Sequence, residues 1–219
     1  MAIVFSHTDE LGGWRAVDIL VLLGVYLLVG GAINLVIQPS MTRFMEDVRQ
    51  GTLDFTLTKP EDSQFLVSIS QIRIWKITDV ILGLIVIAVA LVQRGHEVQL
   101  ADAASFCLLL FTGTMIIYSF WLILATCAFW FIRIENILVI FQSMYEAGRW
   151  PIGIYPQWLR LILTFLIPVA FAVTVPAEAL SGRITNYNLV LSIALSIFML
   201  VFSRWFWSVG VRNYSGASA

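Results

Sequence analysis

The chain has 219 residues, of which 59% are hydrophobic and only 12% are charged, and its mean hydropathy is +0.88. Because a globular domain in water carries about 25% charged residues, this composition excludes a water-soluble globule and predicts a membrane protein. Thirteen basic and fourteen acidic residues leave a net charge of −1, so the charge indicates neither a nucleic-acid partner nor a polybasic membrane anchor.

The start of the chain does not have the pattern of a signal peptide. No basic stretch and no sufficient apolar run precede the acidic pair Asp9 and Glu10. The two cysteines and two histidines are also too few to build a metal site of the usual kind.

Charge-free apolar runs predict the membrane helices, since a span needs about 20 mostly apolar residues. We expect one all-α membrane domain over residues 1–219, with five to six membrane helices. The predicted spans are about 17–37, 76–93, 104–132, a short one at 136–149, a segment at 159–180 and a last one at 185–207.

The distribution of basic residues predicts the orientation. Cytoplasmic loops are enriched in Lys and Arg, and the loop 38–75 holds Arg43, Arg49, Lys59 and Arg73, with Lys76 directly after it. This loop and the C terminus, with Arg204 and Arg212, are therefore predicted to be cytoplasmic. The N terminus is then external, so either the chain is inserted N-out or a first span is missing; we expect the second.

The segment 136–180 leaves two topologies open. Either residues 136–149 cross outward and 159–180 enter and leave on the outer side, or 136–149 stay cytoplasmic and 159–180 cross the membrane. Pro168 and Pro176 favour the first alternative, because an interior proline breaks the backbone hydrogen bonding of a helix.

The loop 38–75 contains the most informative pattern. Ser40 is placed to cap a helix and Gly51 to end it, with Met41, Phe44, Met45 and Val48 along one face. Alternating apolar residues at 53–57 predict an extended piece, and Pro60 is predicted to begin a second helix. The loop is either an interfacial anchor or a docking element for a soluble partner, and we favour docking.

Small residues and charges predict three packing features. Gly24, Gly30, Gly31 and Ala32 allow close helix packing in the first span. Lys76 with Asp79, and Glu146 with Arg149, are spaced to form ion pairs.

Several strings resemble the permease subunits of type-2 ABC transporters, in a branch long labelled as a domain of unknown function. They cover nearly the whole chain in order: Gly12-Gly13-Trp14, Arg49-Gln50-Gly51-Thr52-Leu53-Asp54, Lys59-Pro60, Asp62-Ser63-Gln64-Phe65, Tyr155-Pro156, Trp158-Leu159-Arg160, Pro168 and Pro176-Ala177-Glu178-Ala179-Leu180. The chain departs from the family pattern at its start, where the first span is absent.

The resemblance implies a cytoplasmic coupling helix at residues 41–50 that contacts a separate ATPase subunit. The residues expected in that contact are Met41, Phe44, Met45, Val48, Arg49, Gly51, Asp54, Lys59 and Pro60. It also implies short re-entrant helices on the outer side, with Pro168, Pro176 and Glu178 at an outer gate. Glu178 either lines the exit path or is a hydrated interfacial acid.

The expected function is therefore the membrane subunit of an ATP-driven exporter. The chain has no G-x-x-x-x-G-K-[S/T] loop and no catalytic or cofactor-binding set, so ATP is expected on the partner subunit. The expected partners are that ATPase, a second identical or related permease chain, and lipid of a prokaryotic plasma membrane. The alternative is a membrane scaffold that recruits a soluble protein; a secondary transporter is disfavoured because no ion-coupling carboxylates or repeats are evident.

Overall fold

Helices dominate the fold because backbone polar groups in lipid must be satisfied within their own segment. The computed structural model describes residues 10–95, 99–131 and 135–214. In it, the short antiparallel strands β1 (Glu10–Leu11) and β2 (Trp14–Arg15) precede ten α-helices. These are α1 (Ala16–Ala32), α2 (Gln38–Gln50), α3 (Asp54–Leu57), α4 (Ser63–Ser68), α5 (Ile77–Arg94), α6 (Leu100–Thr126), α7 (Glu135–Tyr145), α8 (Gln157–Leu161), α9 (Val175–Leu180) and α10 (Asn186–Arg212).

The prediction of an all-α polytopic membrane protein is confirmed. Four helical segments of the described chain are long and apolar enough to cross a membrane: 16–50, 74–94, 100–129 and 186–212. A fifth arises if the bent pair 157–166 and 170–180 is counted as one span.

The first membrane segment does not end at residue 37, after which the sequence predicted the loop 38–75. A π-helical turn, Ile33–Ile37, joins α1 to α2, so the helix continues for 35 residues to Gln50. Pro39 cannot donate to the carbonyl of Leu35. That carbonyl accepts instead from the backbone N–H of Arg73, at 2.8 Å. The free acceptor is thus satisfied, and the helix passes through the proline.

Helices α1 and α5 pack closely because glycines face each other. A Cβ at Gly83 would lie 2.6 Å from the backbone N of Leu28, and a Cβ at Gly31 would lie 2.8 Å from the backbone N of Val80. Gly24 likewise faces Ile87. The predicted role of the small residues of α1 in close packing is therefore confirmed for Gly24 and Gly31.

The segment after α7 forms a bent helical hairpin. Helix α8 continues into a π-helical turn at Ile162–Leu166, a second π-helical turn at Ala170–Thr174 leads into α9, and the two arms meet at 78° around Pro168. Gly12, which precedes α1, lies against Ile154 just before α8, and the end of α9 bonds to Arg94 at the end of α5. Both ends of the hairpin therefore lie at the same end of the bundle.

The bundle thus has two distinct ends. We call the end with the start of α1, the end of α5 and both ends of the hairpin the hairpin end. The opposite end, with α2, α3, α4 and the last turns of α6 and α10, is called the loop end. Helix α7 lies between them, since Phe141 packs on Trp121 of α6 while Tyr145 donates to the carbonyl of Tyr26 in α1.

Three local predictions in the loop are wrong. Residues 54–57 form one helical turn and not an extended piece. The next helix begins at Ser63 rather than at Pro60, because the Asp62 carboxylate accepts from the Phe65 N–H and caps it. Ser40 caps no helix either; its hydroxyl donates to the carbonyl of Gln71.

Candidate functional site

The predicted coupling side chains on α2 lie inside the chain rather than on its surface. Met41, Phe44 and Met45 are buried. The Phe44 ring lies 5.4 Å from that of Phe129, in the turn that follows α6, and 5.0 Å from that of Trp207 in α10. The predicted contact of Phe44 and Met45 with an ATPase subunit does not agree with this burial, since the apolar face of α2 packs against the protein's own helices.

The other predicted coupling residues shape the end of α2 and the turn that follows. Gly51 ends the helix in the left-handed conformation, with φ of 72°, which only glycine adopts without strain. Val48 is half-buried, and Arg49 pairs with Glu46 at 2.6 Å. Asp54 then begins α3.

The exposed apolar side chains of this region follow α2. Phe55 is 75% exposed and Phe65 is 61% exposed, and Lys59 and Pro60 are exposed between them. A cleft of about 320 Å³ separates α2 from α3 and α4, lined by residues that include Phe44, Lys59, Leu66 and Ile69. We call Phe55, Lys59 and Phe65 the coupling surface.

Polar contacts bind this segment to the long helices. Arg204 of α10 forms a two-pronged pair with Asp62, one prong at 2.9 Å, and also donates to Gln64 at 3.0 Å. Ser68 shares a hydrogen bond of 2.7 Å with the hydroxyl of Tyr118 in α6. The hydrogen bond from Arg204 lowers the pKa of Asp62, and burial opposes this effect. These contacts join α4 and its capping residue Asp62 to α6 and α10.

The predicted gate residues all lie on the hairpin. Pro168 lies at its bend and is buried, and Pro176 is buried in α9. Gly113 of α6 lets the hairpin approach, since a Cβ there would lie 2.6 Å from the carbonyl of Phe171. Glu178 is half-buried and accepts from the side chain of Asn188 at 3.4 Å.

The sequence analysis missed an ion cluster at the hairpin end. Asp18, in the first turn of α1, is 2% exposed. Its carboxylate lies 3.2 Å from Arg183, 3.9 Å from Arg15 and 4.0 Å from Arg94. We call these four residues the hairpin-end cluster. The one sequence signal for this cluster is a carboxylate in the first turn of an apolar span, because Arg94 and Arg183 are distant from Asp18 in sequence.

A second cleft, of about 320 Å³, lies between α2 and α7. Gln38, Thr42, Met45, Leu138, Gln142 and Glu146 contribute to its lining. The side-chain oxygen of Gln142 is buried and has no hydrogen-bond partner in the described residues. The cleft thus combines apolar walls with polar groups near the loop end.

The predicted pairs Lys76–Asp79, at 3.1 Å, and Arg149–Glu146, at 3.9 Å, are both confirmed.

Comparison with known proteins gives one finding on the family. The model of a family described as "ABC-2 family transporter protein" matches residues 1–218. No curated protein and no solved structure matches the chain. The matched range contains every helix described above, the coupling surface and the hairpin-end cluster.

Proposed function

Since this chain belongs to the ABC-2 transporter family and is a type-2 ABC permease, we propose that it is the membrane-spanning subunit of an ATP-driven exporter. ATP is hydrolysed by a separate ATPase subunit, and the permease contributes the pathway. A second permease chain, identical or closely related, completes that pathway. The loop end and the C terminus face the cytoplasm of a prokaryotic cell, as the basic residues of loop 38–75 indicate.

The observation that carries this proposal is an exposed apolar surface on a segment that is hydrogen-bonded to the spans. Phe55 and Phe65 expose large rings at the loop end, where a soluble subunit can reach them. Buried aromatic anchors dominate the binding energy of protein interfaces. The coupling surface is therefore the proposed contact with the ATPase, in place of the buried face of α2.

The transmission of force follows from the contacts of the same segment. When two ATPase subunits close on ATP, they displace α3 and α4. The pair Asp62–Arg204 carries the displacement into α10, and the hydrogen bond Ser68–Tyr118 carries it into α6. ATP can drive the cycle only if the ATPase binds the inward-open and outward-open states with different free energy.

The proposed cargo is apolar or amphipathic and enters from the membrane. The exposed surfaces of α5 and α10 are apolar, which is compatible with a lipid, a hydrophobic peptide or a drug-like molecule. The cleft between α2 and α7 offers such a molecule both apolar walls and hydrogen-bonding groups.

The test is purification of the tagged chain in mild detergent after expression together with its genomic neighbours. We expect a P-loop ATPase to co-purify in a stoichiometric amount. The double variant Phe55→Asp/Phe65→Asp should insert in the membrane normally and lose that ATPase. The control Trp158→Asp places one such carboxylate on an exposed aromatic position at the hairpin end, and this variant should keep the ATPase.

Two outcomes would contradict the proposal. If no ATPase accompanies the intact, folded chain, the alternative of a scaffold that recruits another soluble protein is favoured. If the ATPase co-purifies equally with the double variant, the ATPase contacts a different part of the loop end.

A further inference from the structure

The hairpin-end cluster joins three elements that are far apart in sequence. Asp18 belongs to α1, Arg94 ends α5, and Arg183 follows α9. Arg94 also donates to the backbone carbonyls of Leu180 and Ser181, at the C-terminal end of α9. Carbonyls at a helix C terminus have no partner within the helix and carry partial negative charge, so they bind a cation well.

The charges of the cluster are unequal. One buried carboxylate faces three guanidinium groups, two of which are largely shielded: the side chains of Arg94 and Arg183 are 16% and 34% exposed. Arg183 also lies over the Trp14 ring, with 5.3 Å between the guanidinium carbon and the ring centroid. Because buried charges of one sign repel each other, Asp18 is what allows Arg94 and Arg183 to lie close together.

The hydrogen bonding of the cluster is incomplete. In the described part of the chain, the buried atoms Asp18 Oδ2, Arg94 Nε and Ser181 Oγ make no hydrogen bond, although Asp18 Oδ2 lies within ion-pair distance of Arg183. Buried polar groups in a purely structural network are normally all paired. Because an unpaired buried polar atom costs free energy, the closed arrangement is less stable than a fully paired network would be, and hydration of these atoms favours opening.

We infer that Asp18 is a positioning residue that holds the return arm of the hairpin, α9, against α1 and α5 and so keeps the hairpin end closed. This inference rests on the proposed transport function and adds to it the contact that must break when the pathway opens outward. When α1 and α9 move apart, Asp18 separates from Arg183, and Arg183 becomes hydrated as it leaves. Removal of the carboxylate opens the same end without ATP.

The test measures how quickly a buried cysteine on α9 reacts with a water-soluble maleimide. Ala177, which is 0% exposed, is changed to Cys after Cys107 and Cys127 have been changed to Ser. The complex with its ATPase is placed in lipid nanodiscs. We expect slow labelling without nucleotide and labelling about tenfold faster with ATP and vanadate.

Variants of the cluster should remove the need for nucleotide. Asp18→Asn is expected to label about tenfold faster than the parent chain without ATP. Arg183→Gln should also label faster than the parent chain without ATP. It leaves fewer unpaired charges than Asp18→Asn, so the inference can still be tested if Asp18→Asn does not fold. Asp18→Glu should restore slow labelling, and Asp18→Arg combined with Arg183→Asp should restore it in part.

A second buried cysteine distinguishes opening from general loosening. Ala125→Cys, in α6 and also 0% exposed, should react equally slowly in all variants. Faster labelling at both cysteines, or no change at Ala177→Cys, would overturn the inference. The comparison without nucleotide does not need the ATPase, so it tests Asp18 even if no ATPase co-purifies.

Discussion

At the scale of single residues, burial separates the roles of two phenylalanines on the loop end. Phe44 lies between the rings of Phe129 and Trp207, whereas the side chain of Phe55, in α3, is 75% exposed. The helical spacing of Met41, Phe44 and Met45 correctly indicates one buried face. It carries no information on whether another protein or the chain's own α6 and α10 covers that face.

Truncation of these two residues should therefore change the free energy of unfolding by very different amounts. Phe44→Ala leaves a cavity among aromatic rings and is expected to lower the free energy of unfolding by roughly 3 kcal/mol. Phe55→Ala should change it by less than about 0.5 kcal/mol, because no packing is lost. Unfolding of the detergent-solubilised chain by SDS titration measures both, and equal losses would contradict the packing described for Phe44.

The pair Asp62–Arg204 predicts a pH dependence of stability. The folded-state pKa of Asp62 is lowered, so the pair stabilises the fold above the normal Asp pKa of about 4, and this contribution is lost as pH falls through the lowered value. Because both side chains are about half exposed, the contribution should stay below about 1 kcal/mol.

Melting temperatures from pH 7 to pH 3 should therefore show a small gap between the parent chain and Asp62→Asn that closes at the acid end. The neighbouring variant Glu61→Gln serves as the control and should show no such gap. A gap that widens on acidification would contradict the sign derived from the lowered pKa.

At the scale of elements, glycines decide how closely α1 and α5 approach. Gly83→Ala would place a Cβ 2.6 Å from the backbone of Leu28, and backbone cannot rotate away as a side chain can. We expect a loss of about 1–3 kcal/mol in the free energy of unfolding.

The matched control is Gly153→Ala, where a Cβ meets nothing within 4 Å. It should leave stability within about 0.5 kcal/mol of the parent chain. Equal stability of the two variants in SDS titration would show that the α1–α5 interface is looser than the structure has it.

The helical segments were predictable to different degrees. Charge-free runs gave the long apolar helices because lipid imposes one requirement on every span, and Gly51 marked the end of α2 because few other residues adopt its backbone conformation. Pro39 gave a wrong prediction of the helix end, because the N–H that bonds to the carbonyl of Leu35 belongs to Arg73, far along the chain. The cluster around Asp18 could not be predicted for the same reason, since Arg94 and Arg183, which lie within ion-pair distance of it, are far along the chain.

At the scale of the whole molecule, the hairpin makes a topological prediction. Positions 153 and 185 flank the hairpin and lie at one end, and the exposed Thr58 lies at the other. In cells that carry a chain without Cys107 and Cys127, Gly153→Cys and Thr185→Cys should both react with an impermeant maleimide added outside. Thr58→Cys should react only after the cells are permeabilised. Labelling of positions 153 and 185 from opposite sides would show that residues 157–180 cross the membrane.

The first membrane segment is one continuous helix, so a tilt of this helix moves both of its ends. At 1.5 Å per residue, the 35 residues from Ala16 to Gln50 extend over about 50 Å, with Asp18 near one tip and Gly51 just beyond the other. A tilt of about 5° around its middle displaces each tip by roughly 2 Å in opposite directions. Added to the 3.2 Å between Asp18 and Arg183, a displacement of this size would take the two side chains beyond ion-pair distance.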